Sequence, residues 1–326
     1  MTALPTDRMI ADEDSDPIAG RVVWVPTKSL WTGGMTLIAV IGGPMTLSWD
    51  AFTLFVATTA ITICAGHSVG MHRLLIHRSF VAPLWLERLL VYLGTLVGMA
   101  GPFGMIYAHD IRDWAQRQPQ CHDLHAHRRG FFHDAWWQMH CAVALDHPPR
   151  FIIEKAIRDD RFFQAIERTW MAQQLPWAIL FYVLGGWAWV IWGIAVRIAV
   201  SLTGHWLIGH FAHRSGHQGW AVDGVAVQGY NLPVAGLVTF GEAYHGNHHA
   251  FPGSANLGIE RGQTDLGWWL IKGLAWLGLA SQIATPETVG RRDGLRRLEA
   301  DFAQADSIRD RSGAHATPTS NVFTRL

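Results

Sequence analysis

Charge is scarce in this chain. Asp, Glu, Lys and Arg make up 16% of its 326 residues, against about 25% in soluble globular domains. That shortfall argues against a protein surrounded by water on every side. The 26 basic and 26 acidic side chains cancel to a net charge of +0, so no global basic field exists to hold nucleic acid. Cysteine is rare too. Cys64, Cys121 and Cys141 are odd in number and scattered, which excludes a disulfide framework and a CxxC zinc or redox motif. P-loop and GxGxxG fingerprints are absent, and so is any internal repeat. Near the start stand Asp12, Glu13, Asp14 and Asp16 rather than a basic run, so this stretch does not read as a cleavable signal peptide.

What is abundant is apolar and aromatic: 49% hydrophobic residues, with 17 Trp and 15 Phe. Trp31–Trp49 is apolar, uncharged and bracketed by Trp. About 19 residues at a helical rise give roughly 28 Å, enough to cross a hydrocarbon core. Trp at both rims fits an interfacial belt. Ala51–Gly70 is a second such run, joined to the first by Ser48, Trp49 and Asp50. Leu84–Ala108 is interrupted by Glu87 and Arg88 and reads as an in-plane or half-buried helix, with a full span as its competitor. Trp177–Trp192 and Gly193–Trp206 make another apolar block, turned at Gly185-Gly186. Residues 266–280 read as an amphipathic, Trp-rich surface helix. Residues 1–30 read as a polar lead-in, 31–285 as the functional domain and 286–326 as a mobile tail. Neither proposed outer turn carries Lys or Arg, whereas Arg8, Arg73, Arg78, Arg112, Arg128 and Arg214 fall on the other side. The expected fold is all-α: a polytopic integral membrane protein of four transmembrane helices, with both termini and the histidine clusters cytosolic.

Histidine is the outlier, with 18 copies gathered in a few places. His72 and His77 close the second span. His109, His122, His125, His127, His133 and His140 form a looser group. His205, His210 and His213 stand at the foot of the fourth span, and His245, His248 and His249 lie in the last polar stretch. Imidazoles at i, i+3 and i+4 share a helical face. His245, His248 and His249 have that spacing, and His122 with His125 has half of it. A lone histidine in a polar loop is usually surface decoration, which is the ordinary account of His133, His140, His147 and His217. Three in five residues are hard to explain by packing. His72 and His77 are ambivalent, since i, i+5 leaves a single α-helical face. Imidazole suits Fe, Cu, Zn and Ni alike. About eight clustered imidazoles exceed the three or four that one zinc needs. Two metals beside a bilayer suggest O2 activation against a buried C–H bond, chemistry that no side chain performs unaided.

These residues resemble the membrane fatty acid desaturases of the stearoyl-CoA desaturase type, over roughly residues 30–285. The first histidine box, H-R-x-x-x-H followed by R-[ST]-[FY], is met by His72-Arg73-Leu74-Leu75-Ile76-His77-Arg78-Ser79-Phe80. The last, G-E-G-x-H-N-x-H-H-x-F-P, is met from Gly241 to Pro252, with Ala243 and Gly246 replacing the family's Gly and Asn. Arg197, Trp206 and His213 match the family's fourth span, but its Asn is Gly209 here, beside His210. The second box, W-A-x-x-H-R-x-H-H, is degenerate: Trp114-Ala115 and His122 align with it, and Arg129-Gly130-Phe131-Phe132 matches a later segment.

The resemblance implies a four-span fold under a cytosolic helical cap and two iron ions. The implied ligands are His72, His77, His122, His213, His245, His248 and His249; His125, three residues from His122 on one helical face, is added by its spacing, with His127 and His210 as further possibilities, and Cys121 is set aside because a thiolate there would risk oxidation. Glu242 and Asn247 are placed to orient imidazoles, and Arg197 is assigned to a head group or to structure. The implied activity is that of an oxidoreductase on paired donors, reducing O2 to water while desaturating an acyl-CoA or acyl-lipid. A separate electron-donor protein is required, since no haem motif is visible. Two alternatives stay open: an acyl-chain hydroxylase on the same scaffold, and an inactive protein that binds metal or lipid.

Overall fold

The computed structural model describes residues 8–298. It is mostly helical, with three short antiparallel strand pairs added. Strands β1 (Met9–Ile10) and β2 (Gly20–Trp24) come first. Helix α1 (Pro26–Met45) starts with Pro at its first position, where no amide is lost. Helix α2 (Trp49–Ala60) is capped by Ser48, whose hydroxyl accepts from the Ala51 amide. It runs unbroken into a π-helical segment, Ile61–Ile76.

Leu84–Ala108, read from sequence as one element, is divided: α3 (Leu84–Thr95) and α4 (Pro102–Arg117) flank a bend, and Gly101-Pro102 restarts the helix. There follow α5 (Phe131–His140), β3 (Cys141–Leu145), β4 (Arg150–Phe151), α6 (Lys155–Arg158) and α7 (Arg161–Thr169). Helix α8 (Gln174–Val190) continues through a π segment, Ile191–Val196, into α9 (Arg197–Ala212). The path folds at Gly185-Gly186, where Gly186 has φ 63° and ψ −157°, a conformation that a side chain would oppose. Strand β5 (Trp220–Val222), a 3-10 turn at Pro233–Ala235, α10 (His245–Ala250), α11 (Leu266–Trp276) and β6 (Leu295–Arg297) complete the described chain.

Among the described residues, two helical segments are long and apolar enough to cross a membrane, Trp49–Ile76 and Gln174–Ala212. Their surfaces and that of α1 expose large apolar side chains, with Val40 67% and Val183 75% accessible. A patch of this kind is unfavourable in water. The two apolar hairpin tips are tied together, since Trp189 Nε1 donates to Asp50 Oδ2 at 2.6 Å.

The described part of the expected polar lead-in, from Arg8 onward, is sewn to the polar half. β1 pairs with β4 (Met9 opposite Phe151), and β2 pairs with β3 from Gly20–Leu145 to Trp24–Cys141. The guanidinium of Arg8 is buried, donating to Glu154 (2.7 Å), Asp110 (3.1 Å) and the carbonyls of Leu75 and Ile76. At the other end β6 pairs with β5, so residues 295–297 are held, while residues 299–326 of the expected tail lie outside the described residues.

Arg197 is satisfied within the protein. It donates to the Gly193 carbonyl (2.7 Å), the Leu96 carbonyl and Gln174 Oε1 (2.6 Å). Gln174 Nε2 also reaches Leu96 O at 3.0 Å. This pairing makes a buried guanidinium tolerable and staples α8–α9 to the end of α3.

Candidate metal centre

The π-helical winding brings His72 and His77 together. With i→i+5 hydrogen bonds, shown by His77 N donating to His72 O at 3.0 Å, residues five apart share a face. The rings of His72 and His77 are 4.8 Å apart. His109, on α4, closes on them, its Nε2 lying 3.2 Å from His77 Nε2. His248, on α10, completes a set of four. The ligand nitrogens of His72, His77, His109 and His248 all lie within 4.8 Å of one another.

A second set gathers His213, at the foot of α9, with His245 and His249 from α10. His245 Nε2 is 2.9 Å from His213 Nε2 and 3.0 Å from His249 Nε2. The last histidine triplet is therefore split. His245 and His249, four residues apart, serve one set, and His248 turns to the other. A third group joins His127, Asp134 and His210, with Asp134 Oδ2 at 3.0 Å from His127 Nδ1 and 2.8 Å from His210 Nδ1.

Carboxylates and carbonyls set the tautomers around these sets. His72 Nδ1 lies 2.6 Å from Glu242 Oε2, and Glu242 Oε1 accepts from Ser68 Oγ at 2.6 Å. His109 Nδ1 faces Asp110 Oδ1 at 3.1 Å, and His213 Nδ1 faces Gly209 O at 2.6 Å. The Gly209 carbonyl can only accept, so His213 Nδ1 carries the proton and its Nε2 lone pair faces the set, an arrangement usual for a metal-binding histidine; the carboxylates beside His72 and His109 favour the same tautomer. Arg73 is fully buried beneath them. It donates to Asp265 Oδ1 (3.0 Å), Ala255 O (2.9 Å) and Phe240 O (3.2 Å).

Burial makes the imidazoles resist protonation. His249 is pushed down to about 4 by desolvation. His245 and His248 fall well below the usual histidine range, first by burial and then by neighbouring histidines. His109 alone is raised, because Asp113 and Asp110 outweigh the burial that would lower it. Neutral imidazoles in fixed tautomers are the ligand form a metal requires. Buried His248 Nδ1 has no hydrogen-bond partner. The donor sets are all imidazole, and they fit Fe, Zn or Cu better than Ca or Mg.

Of the residues singled out in the sequence, six fall into these two sets: His72, His77, His213, His245, His248 and His249. His127 and His210 form the group around Asp134. His122 and His125 join none of the three. His122 Nδ1 accepts from the Leu124 amide at 3.1 Å, and His125 is buried with neither ring nitrogen bonded. Glu242 touches His72 as expected, whereas Asn247 bonds Leu257 O, Gln263 Oε1 and Asn231, tying α10 to the following loop. His109 was not among the expected ligands. Its signal was Asp110 and Asp113 at i+1 and i+4 on a helix opened by Gly101-Pro102. Cys121 is buried against an apolar cluster, away from the three groups.

A cavity of about 360 Å³ lies beside the first set, lined by His77, Asp110, Asp113, Arg117, Arg291 and Arg292 among others. Arg292 Nη1 donates to His249 O at 2.6 Å.

Residues 47–260 match the family model described as fatty acid desaturase. An acyl-CoA 5-desaturase of Anemone leveillei is 31% identical over 265 residues, covering 80% of this chain and 79% of its own length. An sn-1 stearoyl-lipid 9-desaturase of Synechocystis sp. is 33% identical over 246 residues, covering 74% of each chain. An acyl-CoA C20 Delta5-desaturase of Anemone leveillei is 31% identical over 300 residues, covering 89% of this chain and 92% of its own.

Proposed function

The chain belongs to the fatty acid desaturase family, and from that premise we propose that it inserts a double bond into the acyl chain of a membrane lipid or acyl-CoA, using two iron ions. The observation that carries this reading is the placement of two imidazole sets, His72/His77/His109/His248 and His213/His245/His249, at the polar end of apolar helices. Bound iron would supply the oxidising power toward O2 that side chains lack. The overall reaction removes one hydrogen from each of two adjacent methylenes. Those two hydrogens, with two electrons and two protons from outside, reduce O2 to two waters.

The residues of the chain hold and orient. Glu242 stands against His72 Nδ1 and Asp110 against His109 Nδ1, which turns Nε2 of each ring toward the set. The relatives' names include both acyl-CoA and acyl-lipid desaturases, and either substrate presents an extended methylene chain. Electrons come from a separate protein. The arginine-rimmed cavity beside His77 is the polar approach to the first set.

The protein sits in the membrane as a multi-pass chain with its histidines cytosolic. In this reading Trp49–Ile76 and Gln174–Ala212, the two segments long and apolar enough to cross, are joined by α1 and by a second limb made where Gln174–Ala212 folds at Gly186, giving four passes. The absence of Lys and Arg from the turns at 46–48 and 185–186 supports this orientation. The test is to express the full chain in a host lacking its own desaturase and profile the lipids. A new unsaturated acyl species, lost in His248→Ala, supports the proposal. Hydroxylated acyl chains, or no change with two irons bound, would refute it.

A further inference from the structure

The second imidazole set is one ligand poorer than the first, with three histidines against four. Beside it stands a histidine ring that has everything a ligand has except a partner. His127 is buried, and its Nε2 bonds to nothing. Its Nδ1 meets Asp134 Oδ2 at 3.0 Å, which fixes the proton on Nδ1 and leaves a lone pair on Nε2. Its ring lies parallel to that of His213, 7° between planes and 5.0 Å between centroids. A buried acceptor left unsatisfied is costly, and nitrogens held this way are commonly paired with something.

The third cluster, taken by itself, does not read as a metal site. Asp134 Oδ2 already faces three N–H groups: His127 Nδ1, His210 Nδ1 at 2.8 Å and Trp206 Nε1 at 2.9 Å. The carboxylate is consumed in orienting the imidazoles, as carboxylates behind metal-bound histidines are.

The space for His127 comes from Gly209. A Cβ at that position would stand 3.2 Å from both Cε1 and Nε2 of the His127 ring. A side chain there would press on the ring and push it from this position by a few tenths of an ångström. The backbone of His127 has φ 51°, a left-handed value unusual for a residue with a side chain, and its carbonyl is held by Arg214 Nη1 at 2.9 Å. Strained backbone of this kind persists where the surroundings over-determine it, and it clusters at functional sites.

We infer that His127 is the fourth imidazole of the second metal centre, oriented by Asp134 and admitted by Gly209, so that the chain restores a ligand its degenerate second histidine box does not supply. This rests on the two-metal reading above. His127 lies in the loop before α5, five residues beyond the aligned box at Trp114–His122.

The test is metal counting on the full-length protein in detergent, loaded anaerobically with ferrous iron. Wild type is expected to hold two ions. His127→Ala is expected to hold one, and His248→Ala to lose the other. Gly209→Ala and Asp134→Asn should weaken one of the two ions by about 10- to 100-fold, the range for disturbed orienting partners. The retained first ion reports that the fold is intact. Loading with cobalt adds a spectroscopic readout, in which His127→Ala changes one of two cobalt signals. Should His127→Ala not fold, Gly209→Ala carries the test. Two ions at wild-type affinity in the folded variants overturn this inference alone. Three ions in the wild type, one lost on His210→Ala, overturn it by making the Asp134 cluster a separate site. Fewer than two ions in the wild type overturn the two-metal reading and this inference with it.

Discussion

Glu242 Oε2 lies 2.6 Å from His72 Nδ1, joining two residues 170 positions apart in the chain. The same carboxylate is held on its other oxygen by Ser68, one π-turn earlier on the helix that carries His72. The last histidine box thus aligns the first. Glu242→Gln keeps the shape but offers the amide in either orientation. It is expected to reduce affinity for one of two irons by about 10- to 100-fold without abolishing it, as measured by competitive chelation. Unchanged affinity would show that the contact orients nothing.

His109 supplies the fourth nitrogen of the first set, whereas His122 lies outside all three groups. His109→Ala is therefore expected to lose one iron and all turnover. His122→Ala should keep both irons and most of its activity. Elemental analysis with an oxygen-consumption assay separates the two outcomes, and iron loss in the His122 variant would reverse the assignment.

Asp265 has two tasks. Its Oδ1 takes the Arg73 guanidinium at 3.0 Å and the Trp268 amide at 2.8 Å, capping α11. Both charged side chains are about 1% accessible. Asp265→Ala leaves Arg73 with only the longer contact to Glu242 Oε1 at 3.5 Å and two carbonyls, and is expected to lower stability by up to roughly 3–5 kcal/mol, the range for a broken buried pair. Denaturant titration in detergent should detect it as a large fall in the midpoint.

Acid should destabilise the metal-free protein in a defined window. His249 is pushed down to about 4 and His125 to about 3, in both cases chiefly by burial. The unfolded chain, with histidines near about 6.5, binds more protons below that value than the folded one. Stability is therefore full above about 6.5 and falls as pH drops toward 4, where folded His249 also protonates. Thermal melts of metal-free protein between these limits should show a steady decline. A flat profile would mean that these rings are solvated.

Much of the site is legible in the sequence, because metal ligation repeats short patterns. His245, His248 and His249 announce themselves by spacing, and His72 and His77 by the arginine-flanked box that carries the resemblance. The two long apolar helical segments are legible from uninterrupted apolar runs, and the fold at Gly185-Gly186 from the glycine pair. Other features depend on contacts that no local pattern encodes. The division of one histidine triplet between two sets follows from where α4 and α9 arrive in space. His109 is obscured by Trp114-Ala115, which offers a competing alignment five residues on. The strand pairings of Met9–Ile10 and Gly20–Trp24 depend on partners more than a hundred residues away. His127 is reachable only through the room at Gly209, a relation between a loop and a helix.

The π-helical course of Ile61–Ile76 has a consequence for anyone who would transplant this centre. The letters of the first box carry no instruction to wind at five residues per hydrogen bond. Copied into an ordinary α-helical scaffold, with about 100° between successive residues, His72 and His77 would point about 140° apart. A grafted box would keep its sequence and lose half its grip. What must be inherited is the looser pitch of the helix, together with the packing of α3 and α11 against it. Histidine spacing and helix pitch are one specification here: five-residue spacing belongs to the π pitch, as four-residue spacing belongs to the α pitch.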